Sequence, residues 1–369
     1  MTGLSIPFTG LKKQYNNLRS EILDATDEVL RSGQLMDGNW TAEFEHWLSQ
    51  KNNTRHAVCC HSGTSALEVI AEYYATENGV INPPTVLIPS LTYAATANAF
   101  MRAGWAVHFI DVDNTGVFDP KKIPDVTYQA VVLVGLYGAA VTHLSDMKFW
   151  RQSILKDTMI LEDGAQHWLA DNATRMGRAT AISFDPMKNL PAYGNGGAVV
   201  TNDTSLAAYV RQWQRNGKPN NIHVGTNNRM SELDCAHMMV KTRYIDRWQQ
   251  RRQQISDFWR ERLHGASVRT LITDDNAHEH GYHKFVIDVD HRDDLRQALL
   301  VRKIETKVHY EQPLHETGSF RQWPGPDMLS NATALSRRVL SLPFYPELTD
   351  LEVEYIIDQV LDHVSTKHN

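Results

Sequence analysis

Short apolar runs alternate with longer amphipathic stretches over the first two-thirds of the chain. Val58-Cys59-Cys60 precedes a helical pattern from Ser65 to Tyr74, and Val86-Leu87-Ile88 precedes another from Tyr93 to Arg102. Further apolar runs lie at Val107 to Ile110, Val131 to Val134, Met159 to Leu161, Ala179 to Phe184 and Ala198 to Thr201. Runs this short, separated by helix-length amphipathic segments, predict an α/β architecture: a mostly parallel seven-stranded sheet covered by helices on both faces. Right-handed crossovers then align the strand ends along one edge, where such sheets bind ligands.

The pattern changes after about Asn228. Ser231 to Leu263, rich in Arg, Gln and Trp and free of Pro and Gly, predicts one long helix leading out of the large domain. Beyond it, Lys284 to Val289 alternates like a strand, and Asp350 to His363 carries apolar residues at helical spacing. The expected organisation is a large domain over residues 1–245, including the N-terminal segment, and a smaller C-terminal α/β domain over 246–369. A chain of 369 residues suits two packed domains better than one core.

Composition narrows the function. With 37 basic and 43 acidic residues the net charge is -6, and no basic stripe argues for nucleic acid. The cluster Arg243, Arg247, Arg251, Arg252 is interspersed with polar and acidic residues and reads as a solvated helix face. The start has no cationic region followed by an apolar run, and no stretch approaches the roughly 18 consecutive apolar residues of a membrane helix. Cys59, Cys60 and Cys235 have neither disulfide nor metal spacing; they read as buried free thiols in a reducing cytoplasm. No metal site is expected.

Three segments carry chemistry. His61-Ser62-Gly63-Thr64-Ser65 lies between a strand and a helix, where small residues and free N–H groups suit an anion; a plain helix cap explains it equally well. In Leu161-Glu162-Asp163-Gly164-Ala165-Gln166 a carboxylate sits at a strand end on the ligand edge. Facing a pyridine ring, Asp163 would keep the ring nitrogen protonated and Gln166 would reach a ring oxygen; otherwise Asp163 simply caps the next helix. Lys188 lies in the glycine-bearing connection between Phe184 and Ala198, beside Ser183. Partial burial would lower its pKa and free an amine to condense with an aldehyde, although most loop lysines are merely exposed.

Taken in order and with Pro89 to Asn98, these segments resemble the DegT/DnrJ/EryC1/StrS family of sugar aminotransferases, within fold type I of pyridoxal-phosphate (PLP) enzymes. The likeness runs from Leu11-Lys12-Lys13-Gln14-Tyr15 through Val134-Gly135-Leu136-Tyr137-Gly138 to Val339-Leu340-Ser341-Leu342-Pro343 and Pro346-Glu347-Leu348-Thr349-Asp350.

The resemblance implies roles residue by residue. Lys188 would form the Schiff base and then move the proton. Asp163 would pair with the pyridinium nitrogen, and Gln166 would hold the ring hydroxyl. Tyr93 would stack on the ring, with Gly63, Thr64 and Ser183 cradling the phosphate. Asn227 would reach the phosphate of the neighbouring subunit, implying a homodimer with shared active sites. His309 and Tyr310 would face the substrate.

The departures are His167-Trp168-Leu169, Asn228 and His61, expected to touch the substrate side and the subunit contact. The implied reaction is a ping-pong transfer from L-glutamate or a similar donor to a nucleotide-linked keto-deoxysugar. A cyclitol (keto-inositol) acceptor is the alternative. A dehydratase of the same family would carry histidine at position 188, and a non-catalytic regulator would lack Lys188 or Asp163. The particular sugar, the aminated carbon and the pathway are left open by the residues.

Overall fold

A computed structural model describes residues 4–77, 83–141, 158–170, 173, 176–277, 279–321 and 329–366. Two amphipathic helices open the chain, α1 (Leu11–Ser32) and α2 (Asn39–Lys51). In α1, Leu18, Ile22, Ala25 and Val29 are buried at helical spacing, and Gly33 ends the helix in the left-handed region at φ 67°.

The strands β1 (His56–Cys60), β2 (Thr85–Pro89), β3 (Ala106–Ile110), β4 (Ala130–Val134), β5 (Met159–Asp163), β6 (Ala179–Ser183) and β7 (Gly197–Thr201) form one seven-stranded sheet in the order β1-β7-β6-β5-β4-β2-β3. Only β7 runs against its neighbours. Every residue of β4, β6 and β7 is buried, so both sheet faces are covered and the strands read as unbroken apolar runs. Helices α3 (Gly63–Glu77), α4 (Ala94–Arg102) and α5 (Thr204–Trp213) share one core with one face. On the other face, α1, α2 and α6 (Glu232–Thr242) pack over β1, β6 and β7.

The single long helix expected over Ser231–Leu263 is two helices, α6 and α7 (Ile245–Leu263). The break at Arg243 and Tyr244 uses neither Pro nor Gly. Tyr244 N–H closes back on the Lys241 carbonyl at 3.0 Å, and both residues anchor their side chains on Glu21 of α1. Tertiary anchoring of this kind leaves no trace in periodicity.

A second, antiparallel sheet, β8 (Arg269–Thr270), β9 (Phe285–Asp288) and β10 (Val339–Leu342), has its own core with α7, α8 (Arg292–Val301) and α9 (Asp350–Thr366). Ile6 belongs to that core as well, bridged to Ile304. Among the described residues no helix is long and apolar enough to cross a membrane.

Candidate active site

Strand register builds the site. Cys60 and Ser183 both pair with Gly197, and Val134 pairs with Asp163, so the ends of β1, β4, β5 and β6 meet along one edge. A cavity of about 310 Å³ opens there. Gly63, Thr64, Tyr93, Asp163, Gln166, Ser183, Lys188, His309 and Tyr310 all line it. Asn227 does not; it is exposed, on a segment paired with Arg215.

At the head of α3, Ser62 caps the helix, its Oγ accepting from Ser65 N–H at 3.1 Å. The capping that could have explained the whole segment is therefore met by Ser62, which leaves Gly63 and Thr64 facing the cavity. Glycine is required twice here. A Cβ on Gly63 would lie 2.7 Å from Ser183 Cβ, and one on Gly197 would lie 2.3 Å from the Ser62 carbonyl carbon. This close approach sets a helix N-terminus and the Ser183 hydroxyl side by side, a suitable cradle for a phosphate.

Asp163 closes β5 and is buried. Thr96 Oγ1 donates to its Oδ2 at 2.7 Å and Ala165 N–H to its Oδ1 at 3.1 Å. Lys188 sits on a connection tied down throughout. Its own N–H donates to the Asp185 carbonyl at 2.8 Å, Ala192 N–H to the Phe184 carbonyl at 2.7 Å, and Asn189 Nδ2 to the Gly281 carbonyl at 2.7 Å. Burial pushes the Lys188 ammonium below its ordinary pKa, opposed by the nearby Asp163 and Asp185 carboxylates.

Opposite lie Tyr93, 59% exposed at the mouth, and Tyr310, with ring centroids 6.0 Å apart. Burial, then Asp163, raises the Tyr310 phenol. His309 shares a hydrogen bond with Ser341 Oγ at 2.8 Å. Burial and the charges of Lys284, Lys188 and Lys307 push it down to about 3, so it is a neutral imidazole at working pH.

Sequence reasoning missed several residues. Tyr137, at φ 63°, is a hub: its N–H donates to Gln166 Oε1, its hydroxyl to the His309 carbonyl, and its own carbonyl accepts from Lys284 N–H. Thr92, Asp185, Asn195, His283 and Lys284 also line the cavity. Lys284 carried one signal, a charge immediately before the apolar run Phe285-Val286-Ile287 of β9. The bulky His167 and Trp168, expected with Asn228 and His61 to touch the substrate side and the subunit contact, are buried within the chain. His167 fills the space left by Gly135, and Trp168 packs against Trp47 and Phe184. His61 and Asn228 prove to be neighbours, joined by a 2.8 Å backbone hydrogen bond.

A mostly parallel seven-stranded sheet with a buried lysine, a buried strand-end carboxylate and a helix N-terminus beside Ser183 on one edge is the arrangement of a PLP-dependent aminotransferase of fold type I. The chain belongs to the DegT/DnrJ/EryC1/StrS aminotransferase family, whose model matches residues 16–361. It is 31% identical over 367 residues to the dTDP-3-amino-3,6-dideoxy-alpha-D-galactopyranose transaminase of Aneurinibacillus thermoaerophilus, covering 96% of this chain and 98% of that protein. It is 29% identical over 374 residues to a pleiotropic regulatory protein of Geobacillus stearothermophilus, covering 97% and 98%. The crystal structure of S. venezuelae DesV in complex with a ketimine intermediate superposes with a TM-score of 0.88 at 29% identity, covering 98% of each chain.

Proposed function

We propose that this enzyme transfers an amino group from L-glutamate, or a similar donor, to a nucleotide-linked keto-deoxysugar. The observation that carries the reading is the pairing, in one cavity, of Lys188 with lowered basicity and the buried, doubly bonded Asp163. Sugar transaminases among its relatives support the choice of acceptor.

Bound here, PLP supplies an aldehyde for the amino group and a protonated ring that withdraws electrons from the reacting carbon. Asp163, its orientation fixed by Thr96, would keep the ring nitrogen protonated. Gln166 Nε2 would donate to the ring oxygen, and Tyr93 would stack on the ring, an offset contact worth about 0.5–1.5 kcal/mol beyond buried area. Gly63, Thr64 and Ser183 hold the phosphate. Lys188 Nζ, its basicity lowered by burial, would be the group placed to hold and move a proton beside the reacting carbon. His309 and Tyr310 face the sugar.

Asn227 completes the phosphate contacts of a second subunit in a homodimer, in keeping with its exposure outside its own chain's cavity. The reaction belongs in the cytoplasm, where the three buried cysteines stay reduced.

The test is the visible absorption of the protein supplied with PLP, followed on addition of L-glutamate, with Lys188→Ala alongside. A band that glutamate bleaches, and that the variant does not form, supports the reading; no band in the wild type sinks it. Offering a keto-sugar nucleotide and a keto-inositol to the bleached enzyme then decides between acceptors.

A further inference from the structure

Two lysines beside the cavity have no role in the chemistry above. Lys284 is 6% exposed and lines the cavity wall. Its Nζ donates to the Met187 carbonyl at 3.2 Å and lies 5.1 Å from the centroid of the Phe8 ring. Lys307 comes to the same place from the neighbouring segment, its Nζ 5.3 Å from the same centroid and 3.6 Å from Met187 Sδ. The His309 ring stands 5.8 Å from Phe8. Two ammonium groups thus converge on one aromatic ring and on the residue preceding Lys188.

Two nearby carboxylates also accept from backbone N–H groups. Asp185 Oδ1 accepts from Met187 N–H at 2.9 Å, and Glu305 Oε2 accepts from Phe8 N–H at 2.9 Å. Among the described residues neither lysine forms an ion pair, and Lys284 has one acceptor for its three donors. A buried ammonium is costly without a counter-charge. Burial, then the charges of Lys188, Arg252 and Lys307, pushes Lys284 well below the ordinary lysine range, opposed by Asp185. An arriving anion favours the charged form of such a group.

We propose that Lys284, assisted by Lys307, is an anion subsite that takes a carboxylate of the amino donor. Position separates this anion from the acceptor's phosphates. Lys284 reaches the backbone one residue from Lys188, deep enough for a carboxylate on a small amino acid. The mouth, where Tyr93 is 59% exposed, is the side open to a nucleotide too large for that depth. The proposal rests on the transaminase reading and assigns its donor class to residues of this chain.

The test uses Lys284→Met, Lys284→Arg and Lys307→Met in the full-length enzyme. Calorimetric titration with glutarate, a dicarboxylate without an amine, should show binding weakened about tenfold or more in Lys284→Met. KM for L-glutamate should rise by a similar factor with kcat less affected, Lys284→Arg should restore part of the loss, and PLP affinity should be unchanged. Unchanged glutarate binding in Lys284→Met overturns the proposal. So does a variant that loses thymidine diphosphate binding but keeps glutarate, since the anion would then be phosphate. Should Lys284→Met fail to fold, Lys307→Met at the rim must show the same selective loss, and its absence counts against the proposal. Wild-type protein that binds glutarate but never consumes glutamate would overturn the transaminase reading alone.

Discussion

The backbone N–H of Tyr137 donates to Gln166 Oε1 at 2.8 Å, and that one bond decides which end of the amide meets the cavity. With Oε1 engaged, Nε2 points out, 3.3 Å from the Tyr310 hydroxyl, as a donor. Gln166→Glu keeps the acceptor for Tyr137 and removes the donor. The fold should survive, with little change in melting temperature. PLP affinity, read by equilibrium dialysis, should fall about tenfold, the usual worth of a hydrogen bond to a charged or polarised partner. Unaltered affinity would remove Gln166 from the cofactor contacts.

Gly63 has a different reason to be what it is. Gly63→Ala drives a methyl group to 2.7 Å from Ser183 Cβ, and Ser183 ends a strand buried throughout, so neither partner gives way easily. Overpacking of this sort costs about 1–3 kcal/mol. The cofactor-free protein should melt earlier, and PLP should bind more weakly because the helix start and the Ser183 hydroxyl move apart. Combining Gly63→Ala with Ser183→Gly should recover part of the stability without recovering PLP binding. Equal losses in the double variant would show that the contact is not the cause.

Lys241 on α6 links stability to pH. Its side chain is fully buried, Nζ donating to the Pro191 carbonyl at 2.6 Å and lying 3.6 Å from the Tyr193 ring centroid, on the connection that holds Lys188. Burial pushes its pKa down to about 7 from 10.5. Between those values the unfolded chain carries a proton that the folded chain lacks. Folding therefore releases a proton, and this group's contribution to stability rises with pH from about 7 to about 10.5. Urea titrations across that range should give a steeper rise for the wild type than for Lys241→Met. Parallel curves would mean that Lys241 stays charged in the fold.

The strands were legible because each is a short run buried on both faces; β4, Ala130–Val134, is apolar at every position. Lys188, Asp163 and Gln166 were legible because their order along the chain encodes their places on one sheet edge. Lys284 and Phe8 come together only through the second core, from sequence positions 276 residues apart, and neither has a local pattern that announces the other. Tyr137 was hidden for another reason. Its left-handed backbone is one that sequence reading assigns to glycine, and here three tertiary hydrogen bonds hold it. The burial of His167 and Trp168 was not legible because bulk alone does not say which way a turn faces.

Asn227 sits outside its own chain's cavity, and that position allows a complementation test. Lys188→Ala removes the reacting amine from a subunit, whereas Asn227→Asp sets a carboxylate against the phosphate that Asn227 would hold. If Asn227 serves the partner, a homodimer of either variant has two defective sites. A mixed dimer behaves differently. The subunit with Asn227→Asp keeps its own Lys188 and receives a sound Asn227 from its partner, so one site is complete while the other carries both defects. Random mixing makes half the dimers mixed, and total activity should return to about a quarter of wild type. Activity would be measured after co-refolding equal amounts of the two variants, each inactive or nearly so alone. Were Asn227 to act within its own subunit, every site in the mixture would keep one defect, and mixing would restore nothing.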